Sequence, residues 1–415
     1  MRIIHTSDWH LGQHFYSKSR LNEHKAFLQW LLEQVDDHQV DAIIVAGDIF
    51  DTGSPPSYAR QLYNQFIVDL QQLNCQLLIL AGNHDSVATL NESTNLLACL
   101  NTQVIASVKE QISEQVVVLE QYQANGQAKP GCVVCAIPFI RPRDVMKTQA
   151  GQSTSDKQQA LAQGITEHYQ SVYQHALDIA NQHQPALPIV ATGHLTTVGV
   201  SCSDSVRDIY IGTLDAFPAN ALPPANYIAL GHIHRAQKVA KTEHIRYSGS
   251  PIPLSFDEVG TLKSVYLVEL DTQLEQVTAL NVPTFQPMKV IKGDLTEIEQ
   301  QLKLLSEYDA AQPVWLDIEV TTQQYLTDLQ QRIEQLVAQL PVEVLLLRRA
   351  REKHQGRLSS EAKETLNELN AQQVFARRLE QESFDGVEAS QRLGRVKLRF
   401  EQVVSQVEQH LEERG

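Results

Sequence analysis

Basic side chains are in the minority in this 415-residue chain: 34 Lys and Arg stand against 49 Asp and Glu, a formal net charge of −15. That balance excludes a protein that holds nucleic acid by bulk electrostatics, because neutralising phosphates takes a surplus of Lys and Arg. If a nucleic acid is the substrate, local features or a partner must hold it, and bound divalent cations are one local source of positive charge. Cysteine is scarce as well. Five cysteines, odd in number and irregularly spaced, exclude a disulfide framework and fit small apolar residues in a reducing compartment. Cys132 and Cys135 form a C-x-x-C, but Val133 and Val134 between them continue a strand-like run to Ile137, so core packing is expected there. No apolar run reaches the ~18 residues of a membrane span, and Met1–His5 lacks the charged start and apolar stretch of a signal peptide. A cytoplasmic protein without membrane contact is expected. No internal repeat and no low-complexity tract interrupts the chain.

What is present is the composition of a globular protein, 42% hydrophobic and 20% charged, in a chain long enough for two or three domains. From Met1 to about Leu280, short Val/Ile/Leu runs alternate with amphipathic stretches at Asn22–Val35, Ser57–Leu73 and Asp156–Gln182. This alternation predicts an α/β domain with a largely buried sheet. It ends in a hairpin, Ser264–Leu270 and Glu275–Leu280, followed by a proline-bearing linker, Asn281–Pro287. Beyond the linker, Met288–Lys292, Leu295–Leu305, Val314–Val320, Tyr325–Leu340 and Val342–Leu347 read as a small β-α-β-α-β unit. A basic patch comes after it at Arg348, Arg349, Arg351, Lys353 and Arg357, and then two helices at Ala371–Glu382 and Val387–Glu413. The expected domains are therefore 1–280, 281–347 and 348–415. The apolar stripes of the two last helices, Val374–Leu379 and Leu393–Leu411, need a covering surface, either the chain's own body or a partner helix or coiled coil.

Five short polar clusters carry the chemistry, and each begins where an apolar run ends: Asp8-Trp9-His10, Gly47-Asp48, Gly82-Asn83-His84-Asp85, Gly193-His194 and Gly231-His232-Ile233-His234. In open α/β sheets ligands collect outside the carboxyl ends of strands. The repeated glycine is expected to let the chain turn sharply out of its strand and aim the next side chain inward. Carboxylate, amide and imidazole together suit Mn²⁺, Fe²⁺ or Zn²⁺. A pair of such ions about 3.5–4 Å apart can neutralise a phosphodiester, generate hydroxide at neutral pH and hold phosphorus in line. Residues alone thus lead to a two-metal phosphoesterase. Arg141 and Arg143 in Pro138–Arg143, and the basic run from Arg348 to Arg357, are candidates for DNA contact or simply solvated charge.

In content and order the five clusters resemble those of the calcineurin-like metallophosphoesterases. Longer stretches, His5–Gly12, Gly47–Gly53, Gly82–Asp85, Thr192–Leu195, Asp208–Leu214, Gly231–Arg235, Ser248–Pro251, Pro313–Glu319 and Val374–Arg378, are similar to the double-strand-break repair nucleases, in particular the nuclease subunits of bacterial SbcCD complexes. The resemblance covers essentially the whole chain. It implies a β-sandwich flanked by helices, a small α/β capping domain and a C-terminal helical hairpin that binds an SbcC-type coiled-coil ATPase. It further implies two ions, most often Mn²⁺: one on Asp8, His10, Asp48 and His234, the other on Asp48, Asn83, His194 and His232, with Asp48 as the bridge. His84 would face the scissile phosphate and protonate or stabilise the leaving oxygen, with Asp85 orienting its imidazole. A homodimer within a heterotetramer is implied as well. One departure stands out: archaeal and eukaryotic members often carry a non-ligand histidine where this chain has Asp51.

The function expected is a DNA nuclease in repair, recombination and replication, acting with the ATPase as a double-strand 3′→5′ exonuclease and a single-strand and hairpin endonuclease. A phosphatase or cyclic-nucleotide phosphodiesterase on the same metals is the alternative. A scaffold with a vestigial site is a third reading, disfavoured by the complete ligand set.

Overall fold

Two six-stranded sheets lie face to face in the computed structural model, which describes residues 1–122, 127–146, 153–206, 216–321 and 329–350. The expected helices at Ala371–Glu382 and Val387–Glu413, the basic run beyond Ala350 and the motif Asp208–Leu214 lie outside the described residues. One sheet runs Leu274–Asn281, Ser264–Leu270, Arg2–Thr6, Ala42–Ala46, Gln76–Leu80, Thr102–Ile105; the other runs Gln237–Lys238, Ile245–Tyr247, Tyr227–Gly231, Ile189–His194, Ala128–Cys135, Val116–Tyr122. Central pairings are parallel in both, Arg2–Thr6 with Ala42–Ala46 and Ile189–His194 with Tyr227–Gly231. These parallel strands therefore deliver their carboxyl ends to one edge of the sandwich.

Strict alternation of side chains distributes the apolar runs over three layers of core. Ile3, Ile44, Leu78, Val134 and Ala229 point between the sheets. Their neighbours Ile4, Ile43, Val45, Leu77 and Ile79 face two helices, Leu21–Asp37 and Ser57–Gln72. On the opposite side Val133, Cys135, Ala191, Ile228 and Leu230 face the long helix Thr154–Ala180 through Leu161, Ile165, Tyr169, Val172 and Ala176. Burial on both faces is why these strands read as unbroken apolar runs. Cys132 falls between the sheets and Cys135 under the helix, and burial pushes both thiols up to about 12, so the C-x-x-C is two core residues on opposite faces of a strand.

The hairpin Ser264–Leu270/Leu274–Asn281 forms as expected and joins the first sheet antiparallel to Arg2–Thr6. The next segment stays attached, since the Val282 amide donates to the Lys263 carbonyl. A parallel three-stranded sheet comes next, Met288–Gly293, Val314–Val320 and Val342–Arg349, covered by helices Leu295–Lys303 and Leu329–Val337. Its core is Ile291, Ile298, Leu302, Leu316 and Ile318. Residues Met1–Arg349 form one compact unit, and within it the small sheet meets the sandwich at Phe15, Phe256, Met288 and Trp315. Phe15, which stacks on Trp315 at 5.8 Å, belongs to the short hairpin that leaves the Asp8–His10 loop.

No helix among the described residues is long and apolar enough to cross a membrane. Arg348, placed in the basic patch by sequence, is paired through its guanidinium with the fully buried Asp317, so it is a strut of the small sheet.

Candidate metal centre

The five clusters converge at the carboxyl edge of the sandwich. Asp8, Asp48, His10, His194, His232 and His234 are all buried. The backbone is bent hard to achieve this: Asp8, His10, Asp48 and His232 have φ of 54°, 46°, 53° and 93°. Left-handed backbone costs roughly 1–2 kcal/mol per non-glycine residue, so the surroundings must impose it. Trp9 does so for the first loop. Its indole is fully buried, packs edge-on against Phe27 and Phe66 at 5.8 and 5.4 Å, and donates to Thr6 Oγ1 at 2.9 Å.

The glycines have a reason other than the expected sharp turn. Gly47 does turn, with φ of 97°, but Gly82 and Gly231 have no such angle. A Cβ on Gly82 would sit 2.1 Å from Asp48 Oδ1, and one on Gly231 would sit 1.9 Å from the Ala46 carbonyl oxygen. They are needed because the segments bearing the candidate ligands touch, backbone to carboxylate at Gly82 and strand end to strand end at Gly231.

Asp48 is central. Its Oδ2 lies 3.2 Å from Nε2 of His194 and 3.6 Å from Nε2 of His10, one imidazole on either side, while Oδ1 accepts the His84 amide at 2.9 Å. Asn83 Oδ1 lies 3.0 Å from His194 Nε2 and 3.1 Å from His232 Nδ1. Asp8 accepts the His232 amide at 2.9 Å, and its Oδ1 is 4.0 Å from His234 Nε2. Three groups have ligand atoms mutually within 4.8 Å: Asp8, His10 and His234; Asp48, His194 and His232; and His10, Asp48 and His84.

These residues fit a pair of hard or borderline cations. Nε2 of His10 and Nε2 of His232 are buried and make no hydrogen bond, which is costly for a polar atom unless something else is bound. Nδ1 of His194 donates to the Ala46 carbonyl at 2.9 Å, and Nδ1 of His10 faces Asp51 Oδ1 at 3.2 Å. Such outer contacts hold an imidazole with its other nitrogen turned inward.

Charge is strongly coupled across the centre. Burial works against a charged His194, but the Asp48 carboxylate beside it, with help from Asp8 and the Ala46 carbonyl, raises its pKa to about 9. Burial alone would raise Asp48; the imidazoles of His194, His10 and His84 reverse this and hold it well below the usual carboxylate range. His10 is raised, against burial, by Asp51, Asp48 and Asp8. His232 is pushed down by burial and then by the charge on His194.

His84 is half-buried at the rim, with its ring 4.7 Å from that of His10. Its orientation differs from expectation. Nδ1 donates to the backbone carbonyl of Asp51 at 2.7 Å, whereas the sequence assigned that task to Asp85. The Asp85 carboxylate instead accepts three main-chain amides, Gly82 at 2.8 Å, Phe50 at 3.0 Å and Ile49 at 3.1 Å, clamping two of the ligand loops together. Burial and then the charge of Asp48 raise it to about 6 despite those amides. Arg141 reaches in from the second sheet, its guanidinium 3.4 Å from the Asp85 carbonyl and over the Phe139 ring; its Nη1 is buried without a partner. Arg143 is largely exposed, 3.9 Å from Asp144.

His5, in the first strand, lies beneath the centre, between Tyr227 Oη at 2.9 Å and the Leu230 carbonyl at 3.2 Å. Burial lowers its pKa to about 3, so it is a neutral core residue. Sequence reasoning missed the groups behind the imidazoles: Asp51, the Ala46 carbonyl, and Ser205 with Glu258 behind His234. The contrast between Asp51 and the usual histidine was the one signal the sequence held.

Residues 1–236 match the family model for calcineurin-like phosphoesterases, and residues 284–383 match the model described as type 5 capsule protein repressor C-terminal domain. The chain is 59% identical over 386 residues to the D subunit of nuclease SbcCD from Escherichia coli strain K12, covering 93% of this chain and 94% of the relative. It is 30% identical to the D subunit of the same nuclease from Bacillus subtilis strain 168, covering 77% of this chain and 79% of that one. In Rhodobacter capsulatus the identity is 32%, over 65% of this chain and 66% of the relative. With the ligand loops gathered at one edge of a double sheet, these matches make the chain a member of the calcineurin-like phosphoesterases and, within them, of the SbcCD nuclease D-subunit family.

Proposed function

We propose that this chain cleaves DNA phosphodiesters as the metal-dependent nuclease subunit of a complex with an SbcC-type coiled-coil ATPase. In that complex it acts as an ATP-dependent double-strand 3′→5′ exonuclease and a single-strand and hairpin endonuclease, in repair, recombination and replication in the cytoplasm. The observation that carries the reading is the Asp48 carboxylate oxygen lying between His10 and His194, in a chain that shares most of its length with nuclease subunits.

Asp8, His10, Asp48 and His234 are assigned to one Mn²⁺, and Asp48, Asn83, His194 and His232 to the other. Such ions supply polarisation of the phosphate and a water acidic enough to attack at neutral pH. The chain's own residues do the rest. His84, anchored through Nδ1 to the Asp51 carbonyl, turns Nε2 away from that anchor and gives a proton to the leaving oxygen. Asp85 acts through the loops it clamps, keeping His84 and Asp48 in register. Arg141, tethered beside Asp85, meets a phosphate of the substrate strand, and the exposed Arg143 a neighbouring one.

Residues 1–280 are assigned as nuclease domain, 281–347 as cap and 348–415 as the segment that binds the ATPase, in a heterotetramer containing two copies of this chain. An acidic nuclease subunit is consistent with a partner that supplies much of the grip on DNA.

The test is cleavage of 3′-labelled and 5′-labelled hairpin duplexes by the purified protein with Mn²⁺, with and without the ATPase and ATP. Cleavage that disappears in Asp48→Ala is the expected result. Hydrolysis of small phosphodiesters with DNA left intact under every condition would replace the reading with a phosphodiesterase.

A further inference from the structure

A neutral imidazole offers a lone pair at Nε2 only if its proton sits on Nδ1, and the neighbour of Nδ1 decides this. At His10 and His194 the neighbours are a carboxylate and a carbonyl, which only accept. At His234 the nearest neighbour is a hydroxyl, Ser205 Oγ at 2.6 Å, and Glu258 Oε1 stands farther off, 3.5 Å from the same nitrogen. A hydroxyl can donate or accept, so Ser205 alone leaves the tautomer open.

The second contact of Ser205 removes the ambiguity. Its hydroxyl also meets Oε1 of Glu258, whose side chain is fully buried and paired with Lys263 Nζ at 2.6 Å. An ionised carboxylate accepts only, so the single hydroxyl proton of Ser205 must point to Glu258. The serine oxygen then faces His234 with a lone pair, and His234 must donate from Nδ1. In the neutral ring the lone pair then falls on Nε2, the nitrogen 4.0 Å from Asp8 Oδ1. Lys263 holds the same histidine by its main chain, donating to the His234 carbonyl at 2.9 Å and to Ser250 Oγ at 2.8 Å. Glu258 itself is fixed by Ser203 at 2.7 Å and the Leu254 amide at 3.0 Å.

We infer that Glu258, acting through Ser205 and held by Lys263, is a positioning residue that fixes the tautomer of His234 and aims its Nε2 at the ion shared with Asp8 and His10. The inference rests on the reading of His234 as a metal ligand. A buried ion pair is a poor stabiliser beside apolar side chains of equal volume. Directing a proton is a task no apolar side chain performs.

Glu258→Gln reverses the relay, because the amide can donate to Ser205, which then donates to Nδ1 and drives the proton to Nε2. Ser205→Ala breaks the relay while leaving the Glu258–Lys263 pair intact. In both full-length variants, Mn²⁺ titration followed by electron paramagnetic resonance is expected to show one ion bound ~10–100-fold more weakly and the other unchanged. Nitrogen spectra of histidine-labelled, metal-free protein are expected to show the Nδ1-protonated form of His234 in the parent and its loss in Glu258→Gln. His234→Ala separates the two levels of the argument. If it leaves both Mn²⁺ affinities unchanged, the ligand reading falls. If it removes one ion while Ser205→Ala keeps the parent's affinity and tautomer, the relay is overturned and the ligand reading stands. Should Glu258→Gln fail to fold, Ser205→Ala decides alone.

Discussion

The Asp51 carboxylate lies 3.2 Å from Nδ1 of His10, and the carbonyl of the same residue accepts Nδ1–H of His84 at 2.7 Å. One residue thus steadies a candidate ligand through its side chain and a candidate acid through its main chain. Asp51→Ala is expected to weaken one Mn²⁺ by ~10–100-fold, the usual effect of removing an outer-shell partner, and to leave the ring orientation of His84 as it is. Mn²⁺ titration together with a crystal structure of the variant checks both halves. Unchanged affinity would remove Asp51 from the metal site.

His84 and Asp48 should separate cleanly. His84→Gln is expected to bind both ions and lose ~10²–10⁴-fold in cleavage rate, the range for a general acid. Asp48→Ala is expected to lose metal as well as activity, since its Oδ2 faces both His10 and His194. Metal analysis beside a nuclease assay distinguishes them, and metal loss from His84→Gln would make His84 a ligand.

Metal uptake should release protons. Although burial disfavours the charged ring, Asp48 lifts His194 to about 9, so at neutral pH the metal-free centre holds a proton on a His194 nitrogen assigned to one of the ions. Apparent Mn²⁺ affinity is expected to rise with pH until about 9. Calorimetry in buffers of different ionisation enthalpy measures the protons released; a value of zero at neutral pH would contradict the assignment. The same shift has a sign for folding. A raised folded pKa contributes fully below the unfolded value of ~6.5 and is lost as pH climbs through the folded one. Metal-free protein should therefore melt lower above pH 9 than at neutrality.

Trp9 carries the first ligand loop on a fully buried indole. Trp9→Ala is expected to cost ~3–5 kcal/mol of stability, as large-to-small core changes do, and to weaken metal binding because Asp8 and His10 lose the wedge that enforces their left-handed backbone. Chemical denaturation with and without Mn²⁺ measures the two effects separately.

Removing residues 371–415 is expected to abolish association with the ATPase and to spare single-strand cleavage by the isolated chain. Co-purification and a labelled oligonucleotide assay test this. Persistence of the complex would move the interface elsewhere on the chain.

The ligand clusters were legible in sequence because each is local: a few residues at the end of an apolar run. Helices were legible too, within a few residues, as Ser57–Gln72 and Thr154–Ala180 show. Strand order was not. Residues such as Ile3 and Ile4 are buried on opposite faces of one strand, and an unbroken apolar run does not say which strands pair or that two sheets form. The roles of Glu258 and Ser205 were hidden for a related reason, since their contact joins residues 53 apart and neither belongs to a motif. The Ala46 carbonyl that holds His194 has no side-chain identity to read at all. Gly82 and Gly231 were read as turns because a sequence displays only neighbours along the chain, whereas the group that crowds each of these glycines arrives from a distant part of it.

Under the assignment proposed above, each ion draws ligands from both sheets: Asp8, His10 and Asp48 against His234, and Asp48 and Asn83 against His194 and His232. The gap between the sheets therefore works as a caliper on the metal pair. On that assignment neither sheet alone can hold either ion, and the spacing between the sheets sets the reach from one ligand group to the other.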